Sequence, residues 1–328
     1  IELYRPLPPL AYLPLIIIWF GIDELPKVLL IFLSCFAPLA MAARSGMRIH
    51  CGPNLLESDG PEPLPFAQRM KWANEWLTDS AKREQEFSLP NGFDSLNWLS
   101  PHSTYLLGED HLNQIAELAK QHGAHIHVHA AETVGEMSLV SKRHNDRSPI
   151  KVLADTHLLA NAVLAHGVHL DDTDIAMIAQ HGATVTHCPA SNYKLASGTA
   201  RIVELHQQGV NIALGTDGPA SGNDLDLWLA MRLAGYVQKT AASDPTVLPA
   251  LDVLRMATIN GAKALHIDHL VGSLEVGKYA DIVVLERELS ERLNAKVAVQ
   301  HGRGGRGKLI IQYHGLDALE GILEEIRG

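Results

Sequence analysis

Cysteine is scarce in this chain: three in 328 residues, at positions 35, 51 and 188. No two form a CxxC pair, so a zinc ribbon is excluded, and three scattered thiols cannot staple a chain of this size. Such usage fits a reducing, cytoplasmic setting. Basic charge is also short, with 27 Lys and Arg against 37 Asp and Glu, a formal charge of −10. That balance argues against a nucleic-acid-binding surface. There is no HExxH helix, no GxSxG elbow and no GxxxxGK[ST] loop, which removes the helical zinc protease, the serine hydrolase and the P-loop enzyme. The His187-Cys188-Pro189 triplet lacks the CxxC partner of a cytidine-deaminase zinc site.

What is present is ordinary in bulk and unusual in one residue. Hydrophobic residues make up 46% and charged residues 20%, as in a globular enzyme. The length suits one large α/β barrel or two ordinary domains. Eighteen histidines are many for this length, and they favour metal chemistry.

The first 46 residues stand apart. Two apolar runs, Tyr12–Phe20 and Leu25–Ala43, fill much of this segment. The second is about as long as a membrane span and ends in small residues, as an export signal does. We read the pair as buried elements rather than as a membrane anchor, or as a segment foreign to the rest of the chain.

From residue 47 a rhythm sets in. Strands are expected at Met47–Pro53, Leu96–Ser103, around His125–His129, at Asn161–Leu170, Ala183–Ser191 and Val210–Gly218. Between them the spacing predicts helices at about Pro65–Glu86, Glu109–Gly123, Asp171–Gly182, Ala200–Gly209 and Asn223–Gln238. A further helix is expected at Pro249–Leu265, then turns and a strand in Gly272–Glu286. Strand and helix alternating in this way mark parallel βα units. Six are legible, whereas a closed (β/α)8 barrel needs eight. The first two would come from residues 1–46, which leave little room for helices. The expected fold is therefore a TIM-type barrel that is incomplete or degenerate at its first two units. Its domains are an apolar N-terminal segment (1–46), a barrel core (47–270) and a C-terminal strand region with an atypical tail (271–328). The Gly/Arg-rich run His301–Lys308 reads as a solvated loop.

The chemistry gathers where such a barrel puts it, at the C-terminal strand ends. "HIHVHAAET" (His125–Thr133) alternates three imidazoles on one strand face and adds Glu132 just beyond. His102, His166, His187 and Asp217 fall at the ends of four other strands. Taken singly, each has a plain explanation: a satisfied barrel histidine, a helix-start carboxylate, a turn at Thr216–Gly218. His125 and His127, deeper in the strand, are structural. Together the strand-end set fits a metal site with a water position. His129 and Asp217 are the best ligands, His166 is a third ligand or a base, and Glu132 carries a proton. His187 fits a supporting or substrate-side role better than a ligand's.

Residues 47–286 resemble the amidohydrolase superfamily, in particular its triazine-hydrolase-like branch and the S-adenosylhomocysteine/5′-methylthioadenosine deaminases. The stretches that carry the likeness are "HVHAAET", "LAHGVHLDD", "HCPASNYKLASG", "GVNIALGTDGPASGNDLDL", "LRMATINGAKAL" and "VGSLEVGKYADIVVL". The resemblance implies a divalent metal, usually zinc with Fe2+ as the other choice, and hydrolytic loss of ammonia from a purine-like ring. It makes His129, His166 and Asp217 the metal-side residues. Glu132 protonates a ring nitrogen, Asp217 moves the water's proton, and His166 touches water or substrate. His102, in "SPHSTY", and His187 face the substrate, with Glu132 and His166. The expected partner is a small purine nucleoside or related heterocycle, with neither nucleic acid nor membrane. The exposed edges of an incomplete barrel would favour a homo-oligomer. One departure is plain. The family opens with a first-strand His-x-His that binds metal, and here the first histidine is His50. The N-terminal half of the family's small β-sandwich is missing too, as in a truncated or rearranged chain. The alternatives are another heterocycle hydrolase, such as one acting on triazines, and a catalytically impaired member with a binding role.

Overall fold

The computed structural model describes residues 48–57, 64–80, 82, 96–223, 225–281, 293, 295–301 and 307–327. The chain divides into two units, Ile1–Lys278 and Tyr279–Gly328.

The first unit is built on a six-stranded parallel sheet whose spatial order is its chain order. It opens with β1 (Asn54–Leu55), α1 (Phe66–Thr78), β2 (Trp98–Pro101), α2 (Glu109–His122) and β3 (His125–Ala130). Two helices follow, α3 (Val134–Arg143) and α4 (Pro149–Asp155), then β4 (Val163–His166), α5 (Asp172–Gln180) and β5 (Thr184–His187). The short α6 (Pro189–Lys194), then α7 (Ile202–Gln207), lead to β6 (Asn211–Leu214). Beyond it lie α8 (Pro219–Gly222), α9 (Leu227–Ala242), α10 (Ala250–Met256) and α11 (Ile259–Ala264). Parallel strands linked by right-sized helical crossovers form the arc of a (β/α)8 barrel, with six of its eight strands among the described residues. The second unit holds an antiparallel hairpin, β7 (Lys296–His301) with β8 (Gly307–Gln312), and α12 (Leu316–Arg327). That hairpin is what the described residues contain of a small β-sandwich.

Local chemistry explains the boundaries. Asp171 closes a capping box with Asp174 at the start of α5, and α2 stops at Gly123, whose φ of 62° is left-handed. Along β3, Ile126, Val128 and Ala130 are buried with the helices, while His125, His127 and His129 take the opposite face. Leu99, Leu164, Val185 and Ile212 continue the buried layer through the other strands and meet Leu112, Ile115, Leu153, Ile178 and Ile202 from the helices. Each such side chain contributes about 1.5–3 kcal/mol on burial.

Four expectations shift. The first strand is not Met47–Pro53 but the two residues after it. Pro53 has no N–H, so pairing begins with its carbonyl, which accepts from Ser100 N–H at 3.1 Å. At Gly52 a Cβ would stand 2.1 Å from the Trp98 carbonyl, so this close crossing needs glycine. The helix expected over Pro249–Leu265 is two helices, broken where Thr258 takes φ −130° and ψ −97°. Helices α3 and α4 occupy a stretch where none was expected, and the polar tail contains α12. The two N-terminal apolar runs, most of the Gly/Arg run and the end of the strand expected before Glu286 lie outside the described residues. Among the described residues no helix is long and apolar enough to cross a membrane.

Candidate functional site

The ends of β2 to β6 place the residues that the sequence singled out. His102 follows β2 directly, and its ring centroid lies 4.8 Å from that of His129. His129, near the end of β3, lies 5.7 Å from His166 at the end of β4, with the rings nearly parallel at 22°. Glu132 reaches from the turn after β3 and sets Oε2 3.8 Å from His166 Nε2. Asp217, in the turn after β6, feels the charges of both His166 and His129. His187 ends β5 and is fully buried.

Hydrogen bonds fix the orientation of three of these groups. His129 Nδ1–H donates to the His102 carbonyl at 2.8 Å, which leaves the Nε2 lone pair free. His166 Nδ1 lies 2.9 Å from Asn192 Oδ1. Asp217 accepts from the Ser191 hydroxyl at 2.7 Å through Oδ2 and from the Gly218 N–H at 2.6 Å through Oδ1.

The electrostatics follow from burial. Burial opposes the charge on Asp217, but the Ser191 and Gly218 bonds and the two imidazoles outweigh it and hold the carboxyl below its usual range. Burial, aided by the charge of His129, lowers His102 to about 4. Burial, with a smaller push from His166, lowers His187 to about 3. Burial and then the Asp217 carboxylate raise the Cys188 thiol to about 12, so it is no nucleophile at neutral pH.

Three of the described residues with left-handed backbone lie at the same places. His166 has φ 75°, Asp217 φ 58° and Ala131, next to Glu132, φ 55°. Left-handed backbone is costly for residues with a Cβ and persists where neighbours over-determine it. Each of the three has such a neighbour. Asn192 and Ser191 hold the first two, and the buried Glu136 holds the third. Its carboxylate accepts from Ala131 N–H at 3.0 Å and from Glu132 N–H at 2.6 Å. These three supporting residues were not picked out from the sequence. Glu136 carried a signal, since Thr133 and Glu136 have capping-box spacing and the Thr133 hydroxyl does accept the Glu136 N–H at 3.1 Å.

The donors suit zinc in kind, being imidazole nitrogen and carboxylate oxygen. They do not suit it in number. Among the described residues no three His, Cys, Asp or Glu side chains converge as a metal site requires. A cavity of about 260 Å³ lies on the sheet's inner face, lined by His50, Trp98, His127 and Leu265 among others. None of the strand-end residues lines it. In a closed barrel, side chains from all eight strands fill this space.

Comparison with known proteins gives a consistent picture. The chain is 46% identical over 188 residues to a 5′-deoxyadenosine deaminase of Methanothermobacter thermautotrophicus, covering 57% of this chain and 43% of that one. It is 36% identical over 243 residues to a 5-methylthioadenosine/S-adenosylhomocysteine deaminase of Pyrococcus abyssi, covering 74% and 54%. Among solved structures, an adenosine deaminase from Xanthomonas campestris with bound zinc superposes with a TM-score of 0.64 at 29% identity, over 74% of this chain and 53% of the other. The chain thus spans about half the length of these relatives. The sequence profile described as amidohydrolase family matches residues 36–311, most of the chain. On that match, and on the parallel arc whose strand ends carry the expected histidines and acids, the chain belongs to the amidohydrolase family.

Proposed function

We propose that the chain acts as a hydrolytic deaminase on an adenosine-type nucleoside such as 5′-methylthioadenosine or S-adenosylhomocysteine. The overall change is replacement of an exocyclic amino group by oxygen, with water consumed and ammonia released. Glu132, a quarter exposed at the mouth and beside His166, gives a proton to the ring nitrogen as water adds to the adjacent carbon. Asp217, kept ionised by its hydrogen bonds, takes one proton of the water and passes it to the departing amine, and the adduct's hydroxyl proton returns to Glu132 as the carbonyl forms. His166 orients the water, and His102 lines the substrate side with His187 behind it.

The observation that carries this reading is Glu132 set 3.8 Å from His166 at strand ends that also carry Asp217, with His166 bonded to Asn192 and Asp217 to Ser191. The names of the relatives supply the substrate class. Zinc binding, with His129, Asp217 and His166 as the donors the chain offers, belongs to the same proposal. Because these donors fall short of a full site, the steps above are assigned to side chains alone.

The test is metal content by elemental analysis of the purified protein and of a His129→Ala/Asp217→Ala double variant, with ammonia release measured on 5′-methylthioadenosine and on a triazine. Ammonia from the nucleoside that is lost in the variant is the expected result, with zinc above the variant's level but below one ion per chain because the donors fall short of a full site. No metal above the variant's level and no ammonia would sink the proposal.

A further inference from the structure

His166 and Asp217 come from different strands, yet adjacent side chains hold them. Ser191 and Asn192 are consecutive on α6, both with no exposed surface. Helix α6 starts at Pro189, directly after the end of β5, so the strand end itself delivers both. Ser191 Oγ donates to Asp217 Oδ2 at 2.7 Å, and Asn192 Oδ1 faces His166 Nδ1 at 2.9 Å. The helix is anchored on its far side as well, because Lys194 Nζ donates to the Ala220 carbonyl at 2.7 Å in the turn that follows Asp217.

The two residues held in this way are left-handed, with φ 75° at His166 and 58° at Asp217. A non-glycine residue stays there only under constraint. The His166 ring also stacks on His129, but a stack leaves the ring free to turn in its own plane. The directions of the ring and of the Asp217 carboxylate come from these bonds. The Asn192 contact has a further consequence. A neutral imidazole has one N–H and one lone pair. With an amide oxygen at Nδ1, that nitrogen carries the hydrogen, and the Nε2 lone pair is turned toward Glu132, 3.8 Å away.

We propose that Ser191 and Asn192 are a positioning pair that fixes the His166 imidazole, in its Nδ1–H form, and the Asp217 carboxylate as a single unit. The role of the pair in catalysis rests on the deaminase reading, but its effect on His166 does not.

The experiment separates the two. The 15N spectrum of histidine-labelled protein is recorded at alkaline pH, where imidazoles are neutral, and His166 is assigned with a His166→Gln variant. The wild type is expected to show a protonated Nδ1 and an unprotonated Nε2. Asn192→Leu is expected to shift His166 toward the Nε2–H form, while Asn192→Asp, which keeps an oxygen there, retains Nδ1–H. Ser191→Ala leaves the tautomer unchanged. In ammonia release from 5′-methylthioadenosine, Asn192→Leu and Ser191→Ala each lower kcat about 10- to 100-fold with KM nearly constant, the cost expected of misplacement by about 1 Å. The double variant loses less than the product of the two, as for residues acting through one unit. A wild-type His166 in the Nε2–H form, or a tautomer indifferent to Asn192→Leu, overturns the proposal. Should the leucine variant fail to fold by circular dichroism, the wild-type spectrum and Asn192→Ala decide. A wild type that releases no ammonia refutes the deaminase reading and leaves the tautomer to decide the positioning role.

Discussion

Glu136 offers the sharpest test of how the mouth is held. Its side chain is 4% exposed, and its carboxylate is the acceptor for two backbone N–H groups, those of Ala131 and Glu132. Replacing it with leucine leaves both donors without their acceptor. A buried donor left unsatisfied costs about 1–3 kcal/mol, so the pair costs about 2–6 kcal/mol. Ala131, at φ 55°, is then free to relax out of the left-handed region, which recovers about 1–2 kcal/mol and moves Glu132 away from His166. The net expectation is a loss of about 1–4 kcal/mol, with Glu132 displaced. Glutamine keeps one acceptor and loses less, about 1–2 kcal/mol by the same reasoning. Urea unfolding followed by far-ultraviolet circular dichroism measures both. The pH dependence adds a second handle. Burial raises the Glu136 pKa above 4.5, against the pull of the Glu132 and Ala131 amides. The folded state therefore holds this proton more tightly than the unfolded one. The corresponding stability is complete at low pH and is lost as pH rises from about 4.5 through the raised value. In Glu136→Gln that part of the decline disappears. A leucine variant within about 0.5 kcal/mol of wild type, the range of an ordinary surface substitution, would refute the claim that this carboxylate supports the turn.

Two other predictions follow from single sites. Burial works against the Glu57 carboxylate, but the Gly108 amide, Arg143 and His111 hold its pKa down to about 2. Its contribution is present above pH 4.5 and lost as pH falls toward about 2, so Glu57→Gln should unfold at higher pH in an acid titration; an unchanged acid midpoint would show that this cluster contributes nothing. His157 is exposed, follows α4 and has φ 61°. Glycine adopts that backbone freely, so His157→Gly should raise stability by about 0.5–1 kcal/mol in thermal unfolding, and a lower Tm would contradict it.

How much of this could be seen in the sequence follows from the range of the forces involved. The strands after the first, and the helices between them, are set by periodicity and by caps such as Gly123 and Asp171, which act within a few residues. The histidines of β3 were legible because alternation alone assigns them a face. The strand-end rule of parallel barrels then gathered His102, His129, His166 and Asp217 without any distance being known. The supporting side chains are another matter. Asn192 is 26 residues from His166 in sequence, and Ser191 is 26 from Asp217. No local pattern encodes such a contact, and both residues look like ordinary members of a short polar helix. Glu136 is intermediate: it stands at capping-box spacing from Thr133, a local signal, but the carboxylate reaches past Thr133 to the Ala131 and Glu132 amides. The missed helices α3 and α4 likewise carried start signals, Thr133 with Glu136 and Ser148 before Pro149, whose hydroxyls do cap them. The positive-φ residues make the same point from the other side. Asp217 precedes Gly218, so a turn was legible there, whereas the strand expected at Asn161–Leu170 runs through His166 and Gly167. That His166 and Asp217 would themselves adopt left-handed backbone, with Asn192 and Ser191 bonded to their side chains, was not legible. The candidate site groups are thus encoded by position along strands, whereas the bonds that hold His166 and Asp217 come from a helix that follows a third strand end.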